Sequence, residues 1–311
     1  MKIAFLFPGQ GSQVVGMGSD LFNTFDAAKK TYEEASDILG WDIAKLCFSG
    51  PEEKLNQTQY TQPALLTTSI AAWRSLEITP YSGLCVAGHS LGEYTALVVA
   101  DAIPFRDAVR LVEQRGRFMQ ESGNGGMAAI VGLADEAVEA ICKEASNPTE
   151  LVAPANFNAP DQIVIAGAHN ALERAIIIAE EKGAKRAIRL AVSVPSHTSL
   201  MLPACQRLSQ ELDRISGNDL KIPLINNLEA KAITTWSAAR AALVDQLAHP
   251  LLWDKSIQTM QEMGADFFIE IGPGRVLSGI LKRIDRAIRV IHAENAEGIE
   301  KVRKVILGEG G

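Results

Sequence analysis

Gly88-His89-Ser90-Leu91-Gly92 stands between the apolar run Leu84-Cys85-Val86-Ala87 and the stretch Tyr94-Thr95-Ala96-Leu97-Val98-Val99-Ala100. The first run reads as a buried strand and the second as a buried helix, so the chain must turn sharply from one to the other. Such a turn is feasible where flanking glycines let two backbones approach closely, and it lifts the serine at its apex out of the sheet. The chain opens in a similar way. Lys2–Phe7 (K-I-A-F-L-F) has the continuous apolar character of a strand covered on both faces and feeds the glycine loop Pro8-Gly9-Gln10-Gly11-Ser12-Gln13. In open α/β sheets ligands bind at the carboxyl ends of strands, so this loop and the turn at Ser90 are expected to be neighbours around one crevice.

Helical patterns at about 22–39, 62–76 and 105–121 complete the alternation of an α/β domain. The rhythm changes after Met127. Strands are expected at 128–133, 151–157, 162–166 and 185–191, with helices at 135–145 and 172–182, the latter stopped by Gly183. This β-α-β-β-α-β order is the split βαβ, or ferredoxin-like, unit. Ser122-Gly123-Asn124-Gly125-Gly126 ahead of it and Pro195 behind it mark two crossing points. The expectation is a discontinuous α/β domain with a parallel sheet (1–125 and 194–311) and an inserted ferredoxin-like subdomain (126–193). Strands near 222–226, 267–271 and 288–291 resume the first domain.

With 311 residues and 47% hydrophobic content the chain can bury a large core. Its net charge of -7, from 30 basic and 37 acidic residues, offers no basic field for nucleic acid. The apolar run at the start is too short for a signal sequence or a membrane span, which points to the cytoplasm. Cys47, Cys85, Cys142 and Cys205 lie far apart without Cys-x-x-Cys pairing, so disulfides are not expected. His89, His169, His197, His249 and His292 lack metal-ligand spacing, so no metal site is expected.

A serine hydroxyl is a weak nucleophile at neutral pH and needs a base within hydrogen-bond reach. His197, in the irregular stretch Ser193-Val194-Pro195-Ser196-His197-Thr198, is the best placed histidine; His89 abuts the serine but is expected to point away from it. No acid convincingly follows as the third member, because Asp135, Asp161 and the glutamates of the insert read as caps, turns or helix faces. A serine-histidine dyad stays open. In 105–121 the inward stripe runs through Ala108, Leu111, Val112, Arg115 and Met119, and Arg117 points elsewhere. An inward arginine needs a partner, either a core carboxylate or the carboxylate of an acyl group; unpaired it would cost about 3 to 5 kcal/mol. The first loop fits neither a dinucleotide fingerprint, because Val14 stands where glycine or alanine is needed, nor a phosphate loop, which needs Gly-Lys-Ser/Thr. Its better use is an oxyanion hole, with the backbone amide of Leu91 as one donor and that of Gln10 as candidate for the other.

Together, Phe7–Gln13, Gly88–Tyr94, Gln114-Arg115-Gly116-Arg117-Phe118-Met119, Val194-Pro195-Ser196-His197 and Gly272-Pro273-Gly274 resemble the malonyl-CoA:acyl carrier protein transacylase family, motif after motif from about residue 3 to about 285. The resemblance implies a hydrolase-like α/β domain with a ferredoxin-like insert and a ping-pong reaction in fatty acid biosynthesis. Ser90 would take malonyl from malonyl-CoA, and the phosphopantetheine thiol of acyl carrier protein would remove it, with no permanently bound cofactor. It further implies His197 as general base and acid, Arg115 as holder of the malonyl carboxylate, the Gln10 and Leu91 amides as oxyanion hole, and the main-chain carbonyl of Gln246 as orienter of the histidine. Asn156, Asn158 and Gln162 resemble the insert's cleft-facing motif, without a firm role. The family's acidic carrier implies a basic docking patch, at Lys182, Lys185, Arg186 and Arg189 or at Arg275, Lys282 and Arg283. The alternatives are a serine thioesterase or esterase, a transacylase of polyketide synthesis, and a non-catalytic scaffold.

Overall fold

Residues 3–7 alternate between two cores. Phe5 and Phe7 pack edge-on against Trp73 in one apolar cluster, and Ala4 and Leu6 join Cys85, Ala87, Trp253, Ile257 and Phe268 in another. A strand covered on both faces sits inside a sheet rather than at its rim. The computed structural model, which describes residues 1–79 and 82–308, places it there.

The first part of the chain comprises β1 (Ile3–Phe7), α1 (Ser19–Thr24), α2 (Asp26–Leu39), α3 (Ile43–Ser49), α4 (Glu52–Leu55), α5 (Thr58–Ser75), β2 (Cys85–Gly88), α6 (Gly92–Val99) and α7 (Phe105–Ser122). Next come β3 (Gly126–Val131), α8 (Asp135–Ala145), β4 (Val152–Ala159), β5 (Gln162–Gly167), α9 (His169–Glu181) and β6 (Arg186–Arg189). The chain ends with α10 (Leu202–Leu212), β7 (Leu224–Ile225), β8 (Ala232–Ile233), α11 (Trp236–Gln246), β9 (Leu251–Leu252), α12 (Trp253–Glu262), β10 (Phe267–Ile271), α13 (Val276–Ile284), β11 (Val290–Ala293) and α14 (Ala296–Leu307).

The fold is mixed α/β with two sheets. The first has the order β11-β10-β1-β2-β7-β8, parallel except for the β7–β8 pair. The second has the order β6-β3-β5-β4-β9, antiparallel except where β9 runs parallel to β4. Phe7 and Gly88 are register partners, so the two glycine turns leave the sheet side by side. The amide of His89 donates to Phe7 O at 3.0 Å across them.

The structure corrects several element boundaries. The helix expected over 22–39 is two helices, because Phe25 is extended and caps α2. The one expected from Gln62 starts at Thr58 and carries Pro63 inside its first turns. The strand expected over 222–226 is only β7. Pro223 lacks the N–H for a ladder bond, and Asn226 and Asn227 leave the sheet for other partners. Finally β9, which follows α11, extends the second sheet along β4, a pairing too short to be seen in a hydropathy pattern. No helix among the described residues is long and apolar enough to cross a membrane.

Candidate active site

Ser90 sits at the apex between β2 and α6 with φ of 52°, a left-handed conformation that a serine keeps only when its surroundings over-determine it. Two glycines make the turn possible. A Cβ on Gly88 would lie 1.9 Å from the carbonyl carbon of Gly92, and one on Gly92 would lie 2.1 Å from Phe7 O. Asn227 then clamps the backbone from outside: its Oδ1 accepts from the Ser90 amide at 2.7 Å, and its Nδ2 donates to Gly88 O at 2.8 Å.

His197 arrives from the loop after β6, also left-handed at φ of 63°, with its amide donating to Leu247 O at 2.9 Å. Its Nδ1 lies 2.8 Å from Gln246 O, and its Nε2 lies 2.9 Å from Ser90 Oγ. A carbonyl can only accept, so Nδ1 carries the proton and Nε2 presents a lone pair to the hydroxyl. Burial lowers the His197 pKa to about 3, and the charge of Arg115 and the His89 ring push the same way against the Gln246 carbonyl. The imidazole is therefore neutral at ordinary pH.

Arg115 projects inward from α7 and is 1% exposed, whereas Arg117 faces solvent and pairs with Glu121. Its Nη2 donates to Ser90 Oγ at 3.2 Å and to Gln246 Oε1 at 3.1 Å, and the guanidinium lies 5.3 Å from the Tyr94 ring centroid. Among the described residues its Nε has no partner, and no carboxylate oxygen comes within 4.0 Å. A core ion pair, one of the two partners open from the sequence, is thus not formed.

These groups open onto a cavity of about 270 Å³, lined on one side by Gln10, Ser90, Leu91 and His197 and on the other by Asn156, Asn158 and Gln162 of the second sheet. The amides of Gln10 and Leu91 make no internal hydrogen bond among the described residues. Met119, Met127, Val164 and Ile280 supply apolar walls. One expectation is corrected: His89 does not turn away from the site but lines the same cavity. Register shifts in β4 around Asn156 and Asn158 re-aim those side chains, so that Asn158 Oδ1 meets His89 Nε2 at 2.9 Å while the His89 ring packs edge-on against Trp253. Among the described residues no cluster of three or more His, Cys, Asp or Glu has a geometry that holds a metal.

Residues 4–303 match the acyl transferase domain family. The malonyl CoA-acyl carrier protein transacylase of Escherichia coli strain K12 is 49% identical over 287 residues, covering 91% of this chain and 93% of that one. The chain belongs to this transacylase family. Among solved structures, a malonyl-transacylase in complex with its type II polyketide acyl-carrier protein superposes with a TM-score of 0.94 at 43% identity, over 98% of this chain and 100% of that one. The transacylase of Coxiella burnetii gives the same TM-score at 42% identity, over 98% of each.

Two buried residues of this family member were not singled out from its sequence. Asn227 is one. The other is Glu93, one turn beyond Ser90 and 1% exposed, whose Oε2 accepts from the Asn227 amide and from Gln246 Nε2, each at 3.0 Å. An acid inside an otherwise apolar helix was the available signal, because an unpaired carboxylate is not buried without a reason. Of the basic residues considered for docking, Lys182 pairs with Glu144, Arg189 with Glu173 and Arg275 with Glu294.

Proposed function

We propose that this protein transfers malonyl from malonyl-CoA to the phosphopantetheine thiol of acyl carrier protein, through an ester on Ser90, in fatty acid biosynthesis. The observation that carries this reading is that one hydroxyl, Ser90 Oγ, lies within hydrogen-bond distance of both the His197 imidazole and the Arg115 guanidinium. A nucleophile, a base and a fixed positive charge around one oxygen suit an acyl group that itself carries a carboxylate. An alkyl ester has no use for the third.

In the first half-reaction His197 Nε2 takes the hydroxyl proton as Ser90 Oγ bonds to the thioester carbon. The oxyanion that forms is stabilised by the Gln10 and Leu91 amides. Its collapse expels coenzyme A, which leaves with the proton from His197. In the second half the carrier's thiol gives its proton to His197, attacks the ester, and Ser90 leaves with that proton. The Gln246 carbonyl keeps the imidazole in the required tautomer throughout. The malonyl carboxylate, seated on Arg115, offsets one of the charges that depress His197 and so strengthens the base when substrate is present.

We read residues 1–125 and 194–311 as a hydrolase-like domain and 126–193 as a ferredoxin-like subdomain. The strand order β6-β3-β5-β4 supports the second, and a parallel sheet with a serine at a strand-to-helix turn supports the first. The reaction needs no resident cofactor or metal. Four buried free thiols, Cys47, Cys85, Cys142 and Cys205, suit a reducing compartment such as the cytoplasm. The likeness to a polyketide-system transacylase favours one second reading, in which the carrier serves polyketide synthesis.

Incubation with malonyl-CoA followed by intact-mass measurement tests the proposal. A malonyl adduct on Ser90 that acyl carrier protein discharges is expected, and prompt release of malonate with no adduct would make the protein a hydrolase. Transfer rates to a fatty acid carrier and a polyketide carrier separate the two pathways.

A further inference from the structure

Arg115 and Glu93 are opposite charges buried in one site, yet they do not touch. The side chain of Gln246 lies between them: its Nε2 donates to Glu93 Oε2 at 3.0 Å, and its Oε1 accepts from Arg115 Nη2 at 3.1 Å. The same Nε2 lies 3.2 Å from Ser90 O. Both donor positions point at acceptors, so the amide has one satisfactory orientation. Turned over, its NH₂ would face the guanidinium and its oxygen the carboxylate.

The separation has a chemical consequence. A carboxylate in direct contact with Arg115 would occupy the fork that an incoming carboxylate needs. One amide removed, Glu93 still polarises Gln246 and holds the guanidinium by one edge, leaving Nε without an internal partner. Oε1 of Glu93 likewise has none, so the carboxylate is held only through Oε2, by Gln246 and Asn227.

We propose that Glu93 is a positioning residue that, through the side-chain amide of Gln246, orients Arg115 for the carboxylate of the acyl donor. The inference rests on Arg115 receiving that carboxylate, as set out under Proposed function. His197 depends on Gln246 differently, through a backbone carbonyl at the end of α11 that does not turn with the side chain. Loss of the Glu93 charge should therefore harm carboxylate-bearing donors selectively.

The test compares two acyl donors on the full chain: malonyl-CoA and 4-nitrophenyl acetate, which acylates Ser90 without offering a carboxylate. Glu93→Gln should lower kcat/KM for malonyl-CoA by on the order of tenfold, the worth of one charge-assisted hydrogen bond, mostly through KM. Acylation by the acetate ester should fall no more than about twofold, since that donor places no carboxylate on Arg115 and the glutamine's amide oxygen can still accept from the Asn227 amide. Unchanged malonyl kinetics, or an equal loss with both donors, overturns the inference.

Should that variant not fold, the unaltered protein supplies a second measurement. Burial raises the Glu93 carboxyl to about 7, against the lowering effects of Asn227, Gln246 and Arg115. Arg115 from α7 is the charged group facing it, Tyr94 is its titratable neighbour on α6, and Asn227 and Gln246 are neutral. The kcat/KM values for malonyl-CoA and for the acetate ester both refer to the free enzyme, so His197 titrates alike in each; their ratio should rise with pH as Glu93 ionises, and a ratio independent of pH overturns the inference. Failure of the unaltered protein to take malonyl at all would instead sink the transferase reading itself.

Discussion

Arg115 Nη2 donates to Ser90 Oγ at 3.2 Å, so a permanent positive charge on α7 touches the hydroxyl at the turn between β2 and α6. The arrangement restrains the base as well, because the Arg115 charge is the second cause, after burial, of the low His197 pKa. Under the proposed function a carboxylate seated on Arg115 would relieve that restraint and an uncharged acyl group would not, so specificity and activation would share one residue.

Replacing Ser90 with alanine should abolish the acyl adduct and lower transfer by on the order of 10³-fold or more. Intact mass and carrier-loading assays read both effects. An adduct that persists in the variant would place the nucleophile elsewhere.

Arg115→Ala should weaken malonyl transfer by on the order of a hundredfold, as loss of one partner of a buried charge pair costs about 2 to 5 kcal/mol. Acetyl-CoA should be tolerated better than before, since no stranded guanidinium opposes it. Competition between the two donors measures the shift, and an unchanged preference removes Arg115 from substrate recognition.

Asn227→Ala removes two hydrogen bonds that hold the turn, to the Ser90 amide and to Gly88 O. Each buried group left without its partner costs about 1 to 3 kcal/mol, so chemical denaturation should show a lower midpoint and the acylation rate should fall with it. Retention of both would mean that sterics alone keep Ser90 in its left-handed conformation.

Gly88→Ala should not yield folded protein. Its added Cβ meets backbone at 1.9 Å, and backbone in a packed strand-to-helix turn cannot give way. A cooperative thermal transition near that of the unaltered protein would show that the turn relaxes.

With a folded pKa of about 3 against an ordinary 6.5, His197 stays neutral as pH falls while the unfolded chain takes up a proton. Its contribution to stability is therefore complete above about 6.5 and is lost as pH falls toward 3. His197→Asn should shrink the loss of stability between neutral and acid pH, measured by denaturant midpoints. Acylation of the unaltered protein by 4-nitrophenyl acetate should show no inflection near 6.5; a histidine-like inflection there would count against the neutral base.

Much of the site could be read locally. The glycines around Ser90 and the helical phase that turns Arg115 inward depend on backbone sterics and on a 3.6-residue period, both of which act over a few neighbours. The element order β3 to β6 followed from short strand-like and helix-like stretches separated by turn residues, for the same reason. What lay beyond reach joins residues far apart in the chain: Gln246 set between Glu93 and Arg115, Asn227 folded back onto Ser90, His89 turned into the cavity by Asn158, and β9 added to a sheet it does not belong to by sequence. Such partnerships leave no periodic trace, because hydrogen bonds between residues 69 to 153 apart in the chain are decided by how the sheets and helices pack. Local pattern singled out Ser90 as the candidate nucleophile and turned Arg115 inward; packing decided which distant residues support them.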